Sequence, residues 1–210
     1  MPRKTQFTAE DVVIAAFELV REKGLAGLSA PAVAEKMGCS TMPIYSHFKN
    51  MQALEDEVVK KAWELSKAYK ARTYTGDVWI DQGIGYVLFS REESNLFKCL
   101  LEGHNQKLKY EMHLANWQFL EEQLEGYDAF SDLDEMQQER VRYARAMLTH
   151  GIATAARVAA NRILLEDDEL LTLFLINVSK ALLTGFKDLP PISPKDKRKF
   201  EERKKMINNF

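Results

Sequence analysis

The chain of 210 residues has only two cysteines, Cys39 and Cys99, and neither sits in a C-x-x-C pair or a Cys/His spacing. That scarcity argues against a disulfide framework and a zinc site, and each thiol is expected to pack as a small buried hydrophobe. No apolar run approaches the roughly 18 to 20 residues that cross a bilayer. The opening MPRKTQF lacks the apolar stretch of a secretory signal, so the expected location is the cytoplasm, with no membrane partner. Strand signals are missing as well: there is no convincing alternation and no Asn-Gly or Asp-Gly hairpin between strand-like runs. Charge of one sign is also scarce. A net charge of −2 hides a mildly basic front, an acidic body and a basic final segment. This distribution permits a nucleic-acid partner at the N-terminal end without establishing one.

Catalytic signatures are absent too. The sequence has no phosphate-cradling glycine loop, no H-E-x-x-H and no G-x-S-x-G, and its four histidines have no acid at useful spacing. Cys99 and His104, five residues apart, make a poor nucleophile and base pair. No enzyme activity, metal or cofactor is expected. With 46% hydrophobic and 29% charged residues, the composition is that of a globular chain with a real core.

Helical punctuation recurs throughout and the reading is all-α. TAED opens the first helix as a capping box, Thr8 to Asp11, followed by Val13, Phe17 and Val20 on one face. Gly24 ends it as a left-handed cap. Ser29 caps a second helix with Pro31 in its first turn and Val33, Ala34 and Met37 on its buried side; Gly38 stops it. Ser40 is then placed to cap a third helix whose first positions are Thr41, Met42 and Pro43. A proline there removes an N–H that has no intrahelical partner anyway. Ile44 and Phe48 face inward, which leaves Thr41, Met42, Tyr45 and Ser46 outward and His47 at the margin. A short helix, a tight glycine turn and a second helix with an exposed N-terminal face form a helix-turn-helix.

A longer helix follows Lys49, with Leu54, Val58, Ala62 and Leu65 on one stripe. After a break near Gly76, helical segments are expected at roughly 78–91, 93–102, 106–125, 134–161 and 167–186, joined by short connections into an antiparallel bundle. The acids of LEDDEL at 165–170 fit a helix N-terminus better than a metal site. Pro190, Pro191 and Pro194 end the bundle, and the charged residues after them form a mobile tail or an exposed helix. The domain boundaries expected are 1–50, 51–188 and 189–210.

Residues 8–54 resemble the TetR family of transcriptional regulators: a capped first helix ending EKG, then LSAPAVAEKMGCSTMPIYSHFKNMQAL, with its Gly turn and a hydrophobic-Tyr-x-His-Phe ending. The resemblance implies a three-helix DNA-binding domain followed by a helical ligand-sensing and dimerisation domain. By that resemblance Thr41, Met42 and Pro43 meet base edges, Tyr45 and His47 meet phosphates with Ser46 beside them, and Ser29 holds a further phosphate at the start of the second helix. Where the family often has a lysine at the start of the fourth helix this chain has Met51, and Lys49 is the cation that can substitute. No Arg, Asn or Gln at the reading positions offers a bidentate base contact, so specificity rests on Thr41, on apolar contact from Met42 or Pro43 and on DNA shape.

The resemblance also implies a homodimer formed by the last two bundle segments, which binds a palindromic operator and is released by a small effector, most simply as a repressor. THGIATAARVAA offers small residues for close helix approach, and LLTLFLINVSKALLTGF is apolar enough to be buried on more than one face. Trp79, Tyr86, Phe89, Phe97, His104, Met112 and Trp117 are the candidate effector contacts, with Phe119, His113 and His150 nearby, in the form of an apolar pocket with a few orienting polar groups. A helical interaction or sensor protein of the same fold without specific DNA binding is the alternative, and Met51 is the feature that supports it.

Overall fold

The computed structural model describes residues 7–155, 167–190 and 193–207, and among them it contains helices and no strand. Helix α1 (Ala9–Lys23) is capped as its sequence dictates: the Thr8 hydroxyl accepts from the Asp11 amide at 3.1 Å while the Asp11 carboxylate accepts from the Thr8 amide at 2.8 Å. It ends at Gly24, whose φ of 74° and ψ of 177° are not the expected left-handed helical pair, because the chain runs extended into a 3-10 turn at Leu25–Gly27.

Helix α2 (Ala30–Met37) has Ser29 as its N-cap and ends at Gly38, which does adopt the left-handed conformation, φ 66° and ψ 35°. That backbone leaves room for a second helix almost at once. Helix α3 (Met42–His47) begins one residue later than the sequence suggests. Ser40 does not cap it. Thr41 is the N-cap, already near helical φ and ψ, and makes no side-chain cap. Pro43 is therefore the second helical residue, still within the turn whose amides lack partners. Val12, Val13, Ala16, Phe17 and Val20 of α1, Val33 and Ala34 of α2 and Ile44 and Phe48 around α3 share one buried core.

Helix α4 (Met51–Lys70), capped by the Asn50 side chain, runs from this unit into the rest of the molecule. Its buried ladder is Leu54, Val58, Ala62, Ser66 and Lys70, an i, i+4 series that diverges from the expected stripe at Leu65. Helices α5 (Val78–Glu92), α6 (Ser94–Glu102), α7 (Gln106–Glu122), α8 (Glu135–Ala155) and α9 (Asp168–Asp188) build the bundle. Eleven of the 15 residues of α5 are buried, which makes it the central helix. A Cβ on Gly85 would lie 2.1 Å from the Tyr69 carbonyl, so α4 and α5 can cross this closely only with glycine there.

Of the expected 134–161 helix, residues 156–161 lie outside the described residues. Asp167 caps α9, accepting from the Glu169 and Leu170 amides at 2.9 and 3.0 Å, which assigns the described acids of that run to a helix start. By length and composition α9 could cross a membrane, contrary to the sequence reading, because between Glu169 and Lys187 it carries a single charge, Lys180. It packs on α5 and α8 through Leu171, Leu175 and Ser179. In the final segment, helix α10 (Pro194–Ile207) realises the exposed-helix alternative.

Candidate functional site

Two surfaces carry chemistry. The first is the outer face of α3. Met42 is 73% exposed and Tyr45 55%, Ser46, His47 and Lys49 are exposed, and Thr41 and Pro43 are half-buried beside them. Ile44 and Phe48 pin the opposite side to α1 and α2, so the fold presents the expected set outward.

Their hydrogen-bonding states differ. The Tyr45 hydroxyl has no hydrogen-bond partner among the described residues and is available to a phosphate. Ser46 donates its hydroxyl proton to the Pro43 carbonyl at 2.7 Å, which leaves it lone pairs and no free donor. His47 Nε2 lies 2.8 Å from the Phe7 carbonyl, so that nitrogen carries the proton and ties α3 to the segment before α1. Only as an imidazolium does His47 have a second N–H for a phosphate. Ser29, on the α2 N-cap, accepts from the Ala32 amide at 3.4 Å and keeps its own proton to donate. Met51 is half-buried against the core, where a lysine would have to reach past apolar neighbours. Lys49 is exposed, with no ion pair among the described residues.

The second surface is a cavity of about 420 Å³ enclosed by α4 to α8. Tyr86, Met112, Trp117, His113 and His150 line it, as expected. Trp79, Phe89, Phe97 and His104 do not. Phe89 and Phe97 are at most 1% exposed and pack edge-to-face on Tyr69 and Tyr86 as core, with Phe97 behind Tyr86. Trp79 is buried edge-to-face on Phe130, and His104 sits outside, its Nδ1 2.9 Å from Glu55. Phe119 is also absent from the lining; Lys70 lies over its ring.

Sequence reasoning missed the cavity's cations. Lys70, 4% exposed, donates to the Asn116 side-chain oxygen at 2.6 Å and lies over the Trp63 ring at 4.7 Å. Burial, with Lys67 and Arg145 adding repulsion, pulls its ammonium down to about 7. Arg145, 5% exposed, donates to the Trp79 carbonyl at 3.0 Å and the Gln82 side chain at 2.9 Å, and burial lowers it to about 10. Tyr86 pairs with His150 at 2.9 Å, its phenol pushed up to about 12 by burial, so it is neutral at ordinary pH. Cys99 is fully buried and pushed up to about 12, which leaves it no thiolate to react with.

The two surfaces are joined through α6. Asn95, at its start, donates to the Arg21 and Glu22 carbonyls at the end of α1, at 3.0 and 3.1 Å, while Leu100 and Leu101, at its end, line the cavity.

Comparison with known proteins agrees with this geometry. Residues 13–58 match the sequence model of the bacterial regulatory proteins of the tetR family. A transcriptional regulator from Rhodococcus sp. Rha1 superposes with a TM-score of 0.61 at 17% identity, over 87% of this chain and 100% of that one. A tetR-family transcriptional regulator from Streptomyces coelicolor gives 0.60 at 15% identity, over 96% and 97%. At such identities the likeness shows a shared fold. No curated protein matches the sequence significantly.

Proposed function

We propose that the chain, whose residues 13–58 match the bacterial regulatory proteins of the tetR family, is a member of that family: a cytoplasmic repressor which binds a palindromic operator as a homodimer and is released by a small effector. Residues 1–50 are the DNA-binding domain, 51–188 the sensing and dimerising domain, and 189–210 a charged tail. The observation that carries this reading is the exposed face of α3, with Met42 and Tyr45 standing out from a helix whose other side is locked into the core. Thr41, Met42 and Pro43 read base edges through a hydroxyl and apolar contacts. Tyr45, Ser29 and Lys49 hold phosphates, joined by His47 when protonated and by Ser46 once its hydroxyl turns from the Pro43 carbonyl to the DNA.

The dimer is supported by what α8 and α9 leave uncovered. Met147 and Leu148 on α8 and Leu170 and Leu173 on α9 are 38–53% exposed, and the outer ladder of α9 continues through Asn177, Ala181 and Gly185. Small residues in such a ladder let two helices approach closely. A second copy, placed by a twofold axis, covers this apolar surface.

Release follows from the shared helix α6. An effector pressing on Leu100 and Leu101 shifts the helix whose first turn holds the end of α1, and so changes the spacing of the two reading heads. A mobility shift with the protein's own promoter region at moderate salt tests the proposal. A retarded duplex supports it, and no retention of any duplex defeats it.

A further inference from the structure

The cavity has an imbalance that its apolar walls do not explain. Lys70 and Arg145 both line it, both are at most 5% exposed, and among the described residues neither has a carboxylate within ion-pair distance. Among the described residues no Asp or Glu lines the cavity. Buried charges are costly unless paired, and Arg145 repels Lys70, with the more distant Glu64 and Asp77 acting against the cost. The surplus extends beyond charge. Arg145 Nε and the indole N–H of Trp63, another lining residue, are buried donors without partners. The amide and imidazole acceptors nearest these donors are already engaged: Asn116 by Lys70, Gln82 by Arg145, and His113 Nε2 by the Trp117 indole at 2.9 Å.

From this unmatched set of donors we propose that the effector is an organic monocarboxylate, its anionic group held between Lys70 and Arg145 and its apolar body lying against Trp63, Met112, Trp117 and Leu120. The inference rests on the effector reading above and names the ligand's class. A carboxylate supplies the lone pairs that Lys70, Arg145 Nε and Trp63 lack, and it offsets one of the two positive charges. A phosphate ester fits less well, because the lining is mostly apolar side chains and a dianion costs more to strip of water than a monoanion. A cavity of about 420 Å³ suits a body of one or two rings or a medium acyl chain.

The experiment is calorimetric titration of the full chain at pH 6.0, where Lys70 holds its proton, with three ligands of one shape, decanoate, decan-1-ol and decylamine, repeated with 2-naphthoate and 2-naphthalenemethanol. At least one acid is expected to bind tenfold or more tighter than its alcohol, with no binding by the amine. Lys70→Gln is expected to remove that preference, lowering the acid's affinity tenfold or more and the alcohol's far less, and Lys70→Arg to restore much of it. Alcohols binding as well as the acids, the amine binding best, or neither acid binding at millimolar concentration would each overturn the proposal. So would an unchanged acid preference in Lys70→Gln. Should that variant fail to fold, the comparison of acid with alcohol on the unaltered chain decides. Duplex DNA binding is measured on the same preparation: its loss defeats the regulator reading alone, whereas DNA binding without an acid preference defeats this inference alone.

Discussion

Arg21, near the end of the first helix, holds the carboxylate of Glu93 with two guanidinium N–H groups, the Nε contact at 2.7 Å, and so joins positions 72 residues apart. Glu93 is 6% exposed and Arg21 46%, so the carboxylate depends on the pair more than the guanidinium does. Beside it, Asn95 binds the carbonyls at the end of the same helix. The reading head is thereby fastened to the junction of α5 and α6, the point at which a change in the cavity can reach it.

Removing one partner exposes that dependence. Arg21→Met leaves a buried carboxylate unpaired and is expected to cost about 1–3 kcal/mol in urea unfolding. Glu93→Gln is expected to cost less, and the double variant less than the sum of the two, because the second change removes the group that the first orphaned. Additive losses would show that the pair is not coupled. If the junction transmits the effector signal, Arg21→Met also retains DNA binding while responding less to effector.

Lys70 makes a prediction about pH. Its ordinary value of 10.5 falls to about 7 in the folded chain, mainly through burial. Below about 7 both states hold the proton and the folded protein bears the full cost of the buried charge. Between about 7 and 10.5 the unfolded chain binds a proton that the folded chain has released, so stability rises with pH, by at most about 1.4 kcal/mol per unit. Lys70→Met lacks this rise. Its stability advantage over the natural chain is expected to shrink by about 2–3 kcal/mol between pH 6 and pH 9. Parallel urea midpoints across that range would contradict the assignment.

Tyr45 is expected to act on phosphate and not on sequence. Tyr45→Ala should weaken binding to matched and mismatched duplexes alike, and it should change the salt dependence little because the phenol is uncharged. Pro43→Ala keeps the fold, since Pro43 bonds only through a carbonyl that alanine keeps, and shifts base preference. Equal affinities for Tyr45→Ala and the unaltered protein in a mobility shift would remove the proposed docking.

The dimer is tested at Leu173, 53% exposed on α9. Leu173→Glu places a charge in the proposed twofold interface and should give a monomer at micromolar concentration by sedimentation, with little change in helicity. The unaltered chain should sediment as a dimer. A monomer there would remove the basis for a palindromic site.

Much of the fold was legible because it is punctuated locally. Thr8 with Asp11, Ser29 with Pro31, and Gly38 each mark an end with chemistry that acts over three or four residues. The start of α3 lies one residue past its sequence signal because Ser40 and Thr41 are both good caps by type, and the turn from Gly38 places neither hydroxyl on a free amide. The cavity was half legible. Large aromatics mark the bundle interior but do not distinguish wall from core, so Tyr86 and Trp117 line the space while Phe89 and Phe97 fill the layer around it. The cations had a signal that went unread: extending Leu54, Val58 and Ala62 by fours reaches Ser66 and Lys70, and Val141, Arg145, Thr149 and Ala153 form the same series on α8. A charged residue on a buried ladder points to a site.

The most direct test is selection of bound duplexes from a random pool by the purified full chain. The account predicts enrichment of a palindrome whose half-sites are about one helical turn apart or somewhat more, matching two copies of α3 on a twofold dimer. Recovery of no enriched duplex, or of a single asymmetric half-site, would contradict it.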